Sequence, residues 1–187
     1  MEKLPEKFSK SIYKYKDEPS PEEQTVVNSA ENLTRPNSES LKNNVKMFIS
    51  ILAENDINLT DKNVRALEIG SGNAEFLSYA QRQGINIVGV DVRPRGVNDK
   101  QITARIERLP FPDETFDAIF SRGVFEISLY NQYPEVMMSE IVRVLKRGGM
   151  YVGAEHPGLP ITKGFRLIKK PHFQVYKKRK ISWLPNT

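Results

Sequence analysis

Cysteine is absent from this chain, which excludes disulfides, thiolate metal sites and a cysteine nucleophile together. Long apolar runs are missing too: no stretch approaches the roughly 20 residues that cross a bilayer. The opening segment, MEKLPEKFSKSIYKYK, has charge but no apolar h-region, so it does not read as a secretory signal. These absences predict a cytoplasmic location and no membrane contact. Acidic residues are missing from one end only. Residues 161–187 hold eight of the 28 Lys and Arg and none of the 23 Asp and Glu, leaving 20 basic against 23 acidic side chains elsewhere. The basic pI of about 9.3 is therefore a property of the C-terminal end. A solvated terminal hairpin accounts for such a run. Contact with nucleic acid or another polyanion is the functional alternative.

What is present fits one domain: 187 residues, 39% of them hydrophobic, can bury a sizeable core. Residues 1–37 mix charge with Pro5, Pro19, Pro21 and Pro36 and read as a partly ordered segment or lid. A short helix from about Pro21 to Glu31 is expected there, capped by Ser20. Residues 38–180 carry the folded pattern, and 181–187 a tail. From Ser38, Leu41, Val45, Phe48, Ile49 and Leu52 form a helical stripe. Short apolar runs then alternate with helical ones. VRALEIG, INIVGVD, QITARI, FDAIFS and MYVGAEH read as five strands. A helix over 74–83 joins the first two, with Asn73 as its cap and Gly84 at its end. Another, from about Pro134 to Lys146, joins the last two through Met137, Ile141, Val144 and Leu145, with Gly148 as its cap and Lys146 and Arg147 at its negative end. Such alternation predicts a parallel sheet with helices on both faces. GFRLIKK and HFQVYKK, separated by little more than Pro171, add an antiparallel pair.

In an open sheet of this kind the ligand lies at the carboxyl ends of the strands. The first strand ends in Glu68-Ile-Gly70-Ser71-Gly72. Glycines here bring a ligand close to bare backbone, and the amides of the following helix suit an anionic group. Phosphate fits poorly, because no Lys-Ser/Thr pair follows the loop and Glu68 would repel it. A ligand bearing both a carboxylate and an ammonium satisfies the amides and Glu68 together. The second strand ends in Asp91, nineteen residues after Gly72, where a carboxylate can take two ribose hydroxyls. A dinucleotide fingerprint would need glycine at 75, where the chain has Glu75.

EIGSGNA, GVD, RLPFPDETFDAIFS and EIVRVLKRGGMYVGAEHP, in this order, resemble the successive motifs of class I S-adenosylmethionine-dependent methyltransferases, of the small-molecule type called type 11. The resemblance covers about Ser38 to Lys180. It implies a Rossmann-like seven-strand sheet, mostly parallel with an antiparallel C-terminal strand, and S-adenosyl-L-methionine as cofactor. It would place the methionine part of the cofactor at Gly70, Ser71 and Gly72, with Glu68 near the amino group. The ribose falls to Asp91, the adenine to Val92 and the backbone near Ile106, and the donor side to Ser121 and Arg122. His156, just beyond the fifth strand, is the candidate base; His172 lies in the terminal hairpin. No metal is expected.

Three departures from the family pattern stand out. Ala74 replaces the third glycine of the turn. Arg105 stands where many relatives have an aspartate accepting from the adenine amino group, which moves that contact to a neighbour such as Glu107 or removes it. The helix before the sixth strand shrinks to PGLPITK. Several subclasses are excluded. There is no NPPY-like segment after the fourth strand, no cysteine for attack on a pyrimidine ring, one glutamate (Glu126) where arginine methylation needs two, and no Asp-Asp-Asn cluster. A small-molecule acceptor is the expected substrate. RNA or protein, docked on the basic end, and a binding protein that kept the fold without turnover are the alternatives.

Overall fold

In the computed structural model, which describes residues 38–124, 134–154, 164–170 and 173–179, seven strands form one sheet. They are β1 (Ala66–Ile69), β2 (Ile87–Asp91), β3 (Gln101–Thr103), β4 (Phe116–Arg122), β5 (Leu145–Ala154), β6 (Phe165–Lys170) and β7 (Phe173–Lys178). Their spatial order is β3-β2-β1-β4-β5-β7-β6. Strands β1 to β5 pair in parallel. Strand β7 runs antiparallel to both β5 and β6, as the two C-terminal runs predict. The chain adds β2 and β3 on one side of β1, then returns to lay β4 on the other. The β1/β4 junction is thus the point where strand order reverses, the place where open sheets of this kind take a ligand beyond the carboxyl ends of the strands.

Among the described residues three helices cover the sheet: α1 (Ser38–Ala53), α2 (Glu75–Arg82) and α3 (Pro134–Val144). Helix α1 buries Leu41, Val45, Phe48, Ile51 and Leu52, while Ile49 of the expected stripe is only partly buried. With α2 it packs on the face made by Ala66, Ala118, Phe120, Met150, Val152 and Val175. Phe76 of α2 stacks on Phe120, centroids 4.3 Å apart. Helix α3 covers the opposite face, where Leu67, Ile69, Val90, Ile119, Tyr151 and Tyr176 lie. Strands buried on both faces need apolar residues at successive positions, which is why they read as runs and not as alternation.

The loop between β3 and β4 is fastened to α3 largely by one side chain. The Arg143 guanidinium donates to the carbonyls of Leu109 (2.9 Å) and Phe111 (2.7 Å), and to Asp113 (2.9 Å). It also binds Glu140, which accepts the Leu109 N–H at 2.9 Å. The LPFPDETFD and EIVRVLK segments therefore belong to one clamp.

One boundary differs from expectation. Helix α3 ends at Val144, and Lys146, Arg147 and Gly148 belong to β5 rather than to a helix end. Phe116 pairs with Leu145, but Ala118 pairs with Met150, so β5 bulges between them. Cross-strand charge explains the preference. Lys146 Nζ reaches both Asp117 oxygens at 2.9 and 2.8 Å, and Arg147 binds Glu114 at 3.0 Å. Part of the basic C-terminal run is likewise internal: Lys178 donates to the Leu145 carbonyl at 2.6 Å. Among the described residues no helix is long and apolar enough to cross a membrane. The expected helix at 21–31, the tail at 181–187, the PGLPITK segment, Glu126, His156 and His172 lie outside the described residues.

Candidate functional site

The apolar run of β1 carries one carboxylate inward, Glu68, which is only 6% exposed. Beyond Ile69 the chain turns through Gly70 (φ 74°), Gly72 (φ 44°) and Ala74 (φ 59°) before entering α2. A side chain at Gly70 would strike Val124, whose Cγ2 lies 2.3 Å from where a Cβ would sit. The turn is thus restricted to glycine there on both conformational and steric grounds.

Asn73 does not cap α2. The cap position is Ala74, in the left-handed region, with no side-chain hydrogen bond. The Leu77 amide in the first turn of the helix lies near enough to Glu68, on the preceding strand, to favour its carboxylate slightly. Asn73 is exposed on the turn.

Asp91 closes the turn from the other side. Its Oδ2 accepts the Gly72 N–H at 2.8 Å and its Oδ1 the Arg93 N–H at 2.7 Å. The Gly72 carbonyl accepts from the N–H groups of Arg95 (2.9 Å) and Gly96 (3.2 Å), so the loop after β2 folds onto the turn. A residue that motif reasoning missed completes the arrangement. Gln101, first in β3 and buried, donates from Nε2 to Ser71 Oγ at 2.9 Å and to the Gly72 carbonyl at 2.8 Å. The signal available for it was an amide side chain opening a strand.

The electrostatics centre on Glu68. Burial pushes its carboxyl up to about 8, partly offset by the Arg122 cation, reinforced by the Asp91 charge and lowered a little by the Leu77 amide. Its Oε2 is buried without a hydrogen-bond partner. Arg122, at the end of β4, is half-buried. Ser121 is fully buried, and its hydroxyl hydrogen-bonds with the Tyr151 hydroxyl at 2.7 Å, inside the sheet. Val92 follows Asp91 and is half-buried, while Ile106 is buried in a 3-10 turn spanning Ile106–Arg108. At the start of that turn Arg105 pairs with Glu107 Oε1 at 3.4 Å, leaving Glu107 Oε2 buried and unpartnered. Glu68, Gly70, Ser71, Gly72 and Asp91 thus meet at one edge, with Arg122 alongside across β4. Ser121 turns away. Among the described residues no cluster of His, Asp or Glu could hold a metal ion.

A family model described as a methyltransferase domain matches residues 67–153, the segment from β1 to β5. The fatty-acid O-methyltransferase of Mycolicibacterium smegmatis is 26% identical over 152 residues, covering 74% of this chain and 53% of that protein. The demethylmenaquinone methyltransferase of Thermus thermophilus is 31% identical over 126 residues, 60% of this chain and 55% of that protein. The chain spans about half the length of the curated relatives it matches. A solved structure of the Burkholderia thailandensis 1,6-didemethyltoxoflavin-N1-methyltransferase, with 1,6-didemethyltoxoflavin and S-adenosylhomocysteine bound, aligns with a TM-score of 0.59. That alignment covers 83% of this chain and 85% of the other at 12% identity, which establishes a shared fold.

Proposed function

We propose that the chain is a class I S-adenosylmethionine-dependent methyltransferase that transfers the cofactor's methyl group to a small-molecule acceptor, a reading that the match of residues 67–153 to a methyltransferase domain supports. The observation that carries this reading is the Gly70–Gly72 turn tied to Asp91 beside a buried, unpartnered Glu68 oxygen. Three acceptors stand ready for three kinds of donor. Glu68 Oε2 has no partner and suits an ammonium. Each Asp91 oxygen accepts one amide and keeps capacity for a ribose hydroxyl. Glu107 Oε2 also lacks a partner and suits the adenine amino group, a role that Arg105 cannot fill. The residues present therefore fit the cofactor.

When bound, S-adenosylmethionine supplies a methyl group activated on a sulfonium centre. The chain's own contribution is position: acceptor and methyl must be held within roughly 3–3.5 Å and in line. In this reading Glu68 and the Gly70–Gly72 turn border the amino-acid end, Asp91 fixes the ribose, and Val92 and Ile106 flank the adenine. Ser121 and Arg122 close the donor side, Ser121 through its backbone, because its hydroxyl is bound to Tyr151. His156 is the base candidate for acceptors that must lose a proton. The named substrates of the relatives, a fatty acid and demethylmenaquinone, support a small-molecule acceptor.

Calorimetric titration with S-adenosylmethionine and S-adenosylhomocysteine, with NAD as control, tests the cofactor. Binding of both and not of NAD is expected; failure of both to bind refutes the reading. Label transfer from S-adenosylmethionine into fractionated cell extract tests the acceptor, and label confined to RNA or protein fractions would exclude a small molecule.

A further inference from the structure

Glu68 is buried at the middle of the sheet's ligand edge, and one of its oxygens has no partner there. Neighbouring elements supply little to hold a negative charge. On β1's flanks, Gly89 of β2 and Phe120 of β4 stand opposite Glu68 in register. The helices covering this face contribute Phe48, Phe76 and Leu77. Of charged groups, Arg122 from β4 favours the carboxylate, and Asp91 from β2 opposes it. From α2 comes one amide, that of Leu77. A charge so placed is buried and leaves Oε2 without a donor, which disfavours ionisation.

We propose that Glu68 carries a proton in the ligand-free protein and releases it to solvent when a cationic amino group binds beside it. This rests on the cofactor reading above, which brings an ammonium to Glu68. The step balances: a carboxylic acid and an ammonium ligand become a carboxylate–ammonium pair plus one proton taken up by buffer. The unpartnered oxygen gains a charged donor, so the ion pair replaces the solvation that burial removed. The carboxyl's shift to about 8 agrees with this state at neutral pH. Two consequences follow. Ligand affinity rises with pH, by up to about tenfold per unit below that value. The site also discriminates by charge: a ligand that lacks the amino group leaves the proton where it is.

The test is calorimetry of the full chain at pH 7 in phosphate and in Tris, whose ionisation enthalpies differ, so that the difference in heat counts protons. S-adenosylhomocysteine should release close to one proton. 5′-Methylthioadenosine, which has the nucleoside and lacks the amino acid, should release close to none. Glu68→Gln should abolish the release, and any remaining affinity should lose its pH dependence. If S-adenosylhomocysteine binds the wild type with no proton released, the proposal is overturned while the cofactor reading stands. If proton release persists in Glu68→Gln, another group is the source and the proposal fails. If neither ligand binds the wild type, the cofactor reading falls and the proposal with it.

Discussion

Replacing Asp91 should weaken both the fold and the ligand site, and the two losses can be separated. The carboxylate accepts the part-buried Gly72 amide at 2.8 Å and the exposed Arg93 amide at 2.7 Å. A hydrogen bond to a charged group contributes about 1.5–3 kcal/mol, and the exposed one belongs at or below the bottom of that range. Asp91→Ala should therefore cost about 2–3 kcal/mol of stability, which a domain with roughly 5–15 kcal/mol survives. The same substitution removes both acceptors offered to ribose hydroxyls. At similar values per bond, affinity for S-adenosylhomocysteine should drop on the order of a hundredfold or more. Asp91→Asn keeps one carbonyl oxygen but turns an amide donor toward one of the two backbone N–H groups. It should fall between the other two proteins in both quantities. Urea unfolding and calorimetric titration of all three proteins are the measurements. An unchanged urea midpoint in Asp91→Ala would show that the carboxylate does not brace the turn. Equal affinities, with the wild type clearly binding, would show that the ribose lies elsewhere.

Glu68 gives a stability effect with a definite sign. Its carboxyl lies near 8 in the folded chain against an ordinary 4.5, so the folded state keeps a proton that the unfolded chain releases. Its favourable contribution is complete below about pH 4.5 and is lost as pH rises to about 8, at up to ~1.4 kcal/mol per unit. In urea unfolding at pH 5, 6.5 and 8, Glu68→Gln should gain stability relative to wild type as pH rises; a constant difference would contradict the burial argument. Arg143→Ala removes the donor shared by the Leu109 and Phe111 carbonyls, Asp113 and Glu140. It should cost about 2–3 kcal/mol, with Arg143→Lys recovering less than half because it lacks the planar fork; a loss under about 0.5 kcal/mol by urea unfolding would mean the clamp is incidental. Ala74 holds φ 59°, which is roughly 1–2 kcal/mol unfavourable for an L residue. Against the ~0.8 kcal/mol of its buried methyl, Ala74→Gly should be neutral to about 1 kcal/mol more stable, read as an unchanged or raised Tm; a clear fall would mean the methyl's packing outweighs the backbone relief.

Sequence alone determined the elements and the ligand edge, because both are written locally. Apolar periodicity placed α1 through Leu41, Val45, Phe48 and Leu52. Apolar runs placed β1, β2 and β4, and the carboxylates and glycines at the ends of β1 and β2 marked where a ligand could reach backbone. The antiparallel β6–β7 pair was legible for the same reason, as two short runs with almost no chain between them. What the tertiary structure decided depends on partners far apart in the chain. Gln101 grips Ser71 across 30 residues and the Gly72 carbonyl across 29, and no local pattern announces that. Lys146 and Arg147 suit a helix end by local rules, yet Asp117 and Glu114 draw them into β5. Asn73 is a good cap by type, but the turn carries Ala74 into the cap position and leaves Asn73 exposed before it. The protonation of Glu68 is the furthest from the sequence. It is set by how little water, and how little compensating charge from β2, β4 and the covering helices, reaches one carboxyl group once the sheet has closed around it.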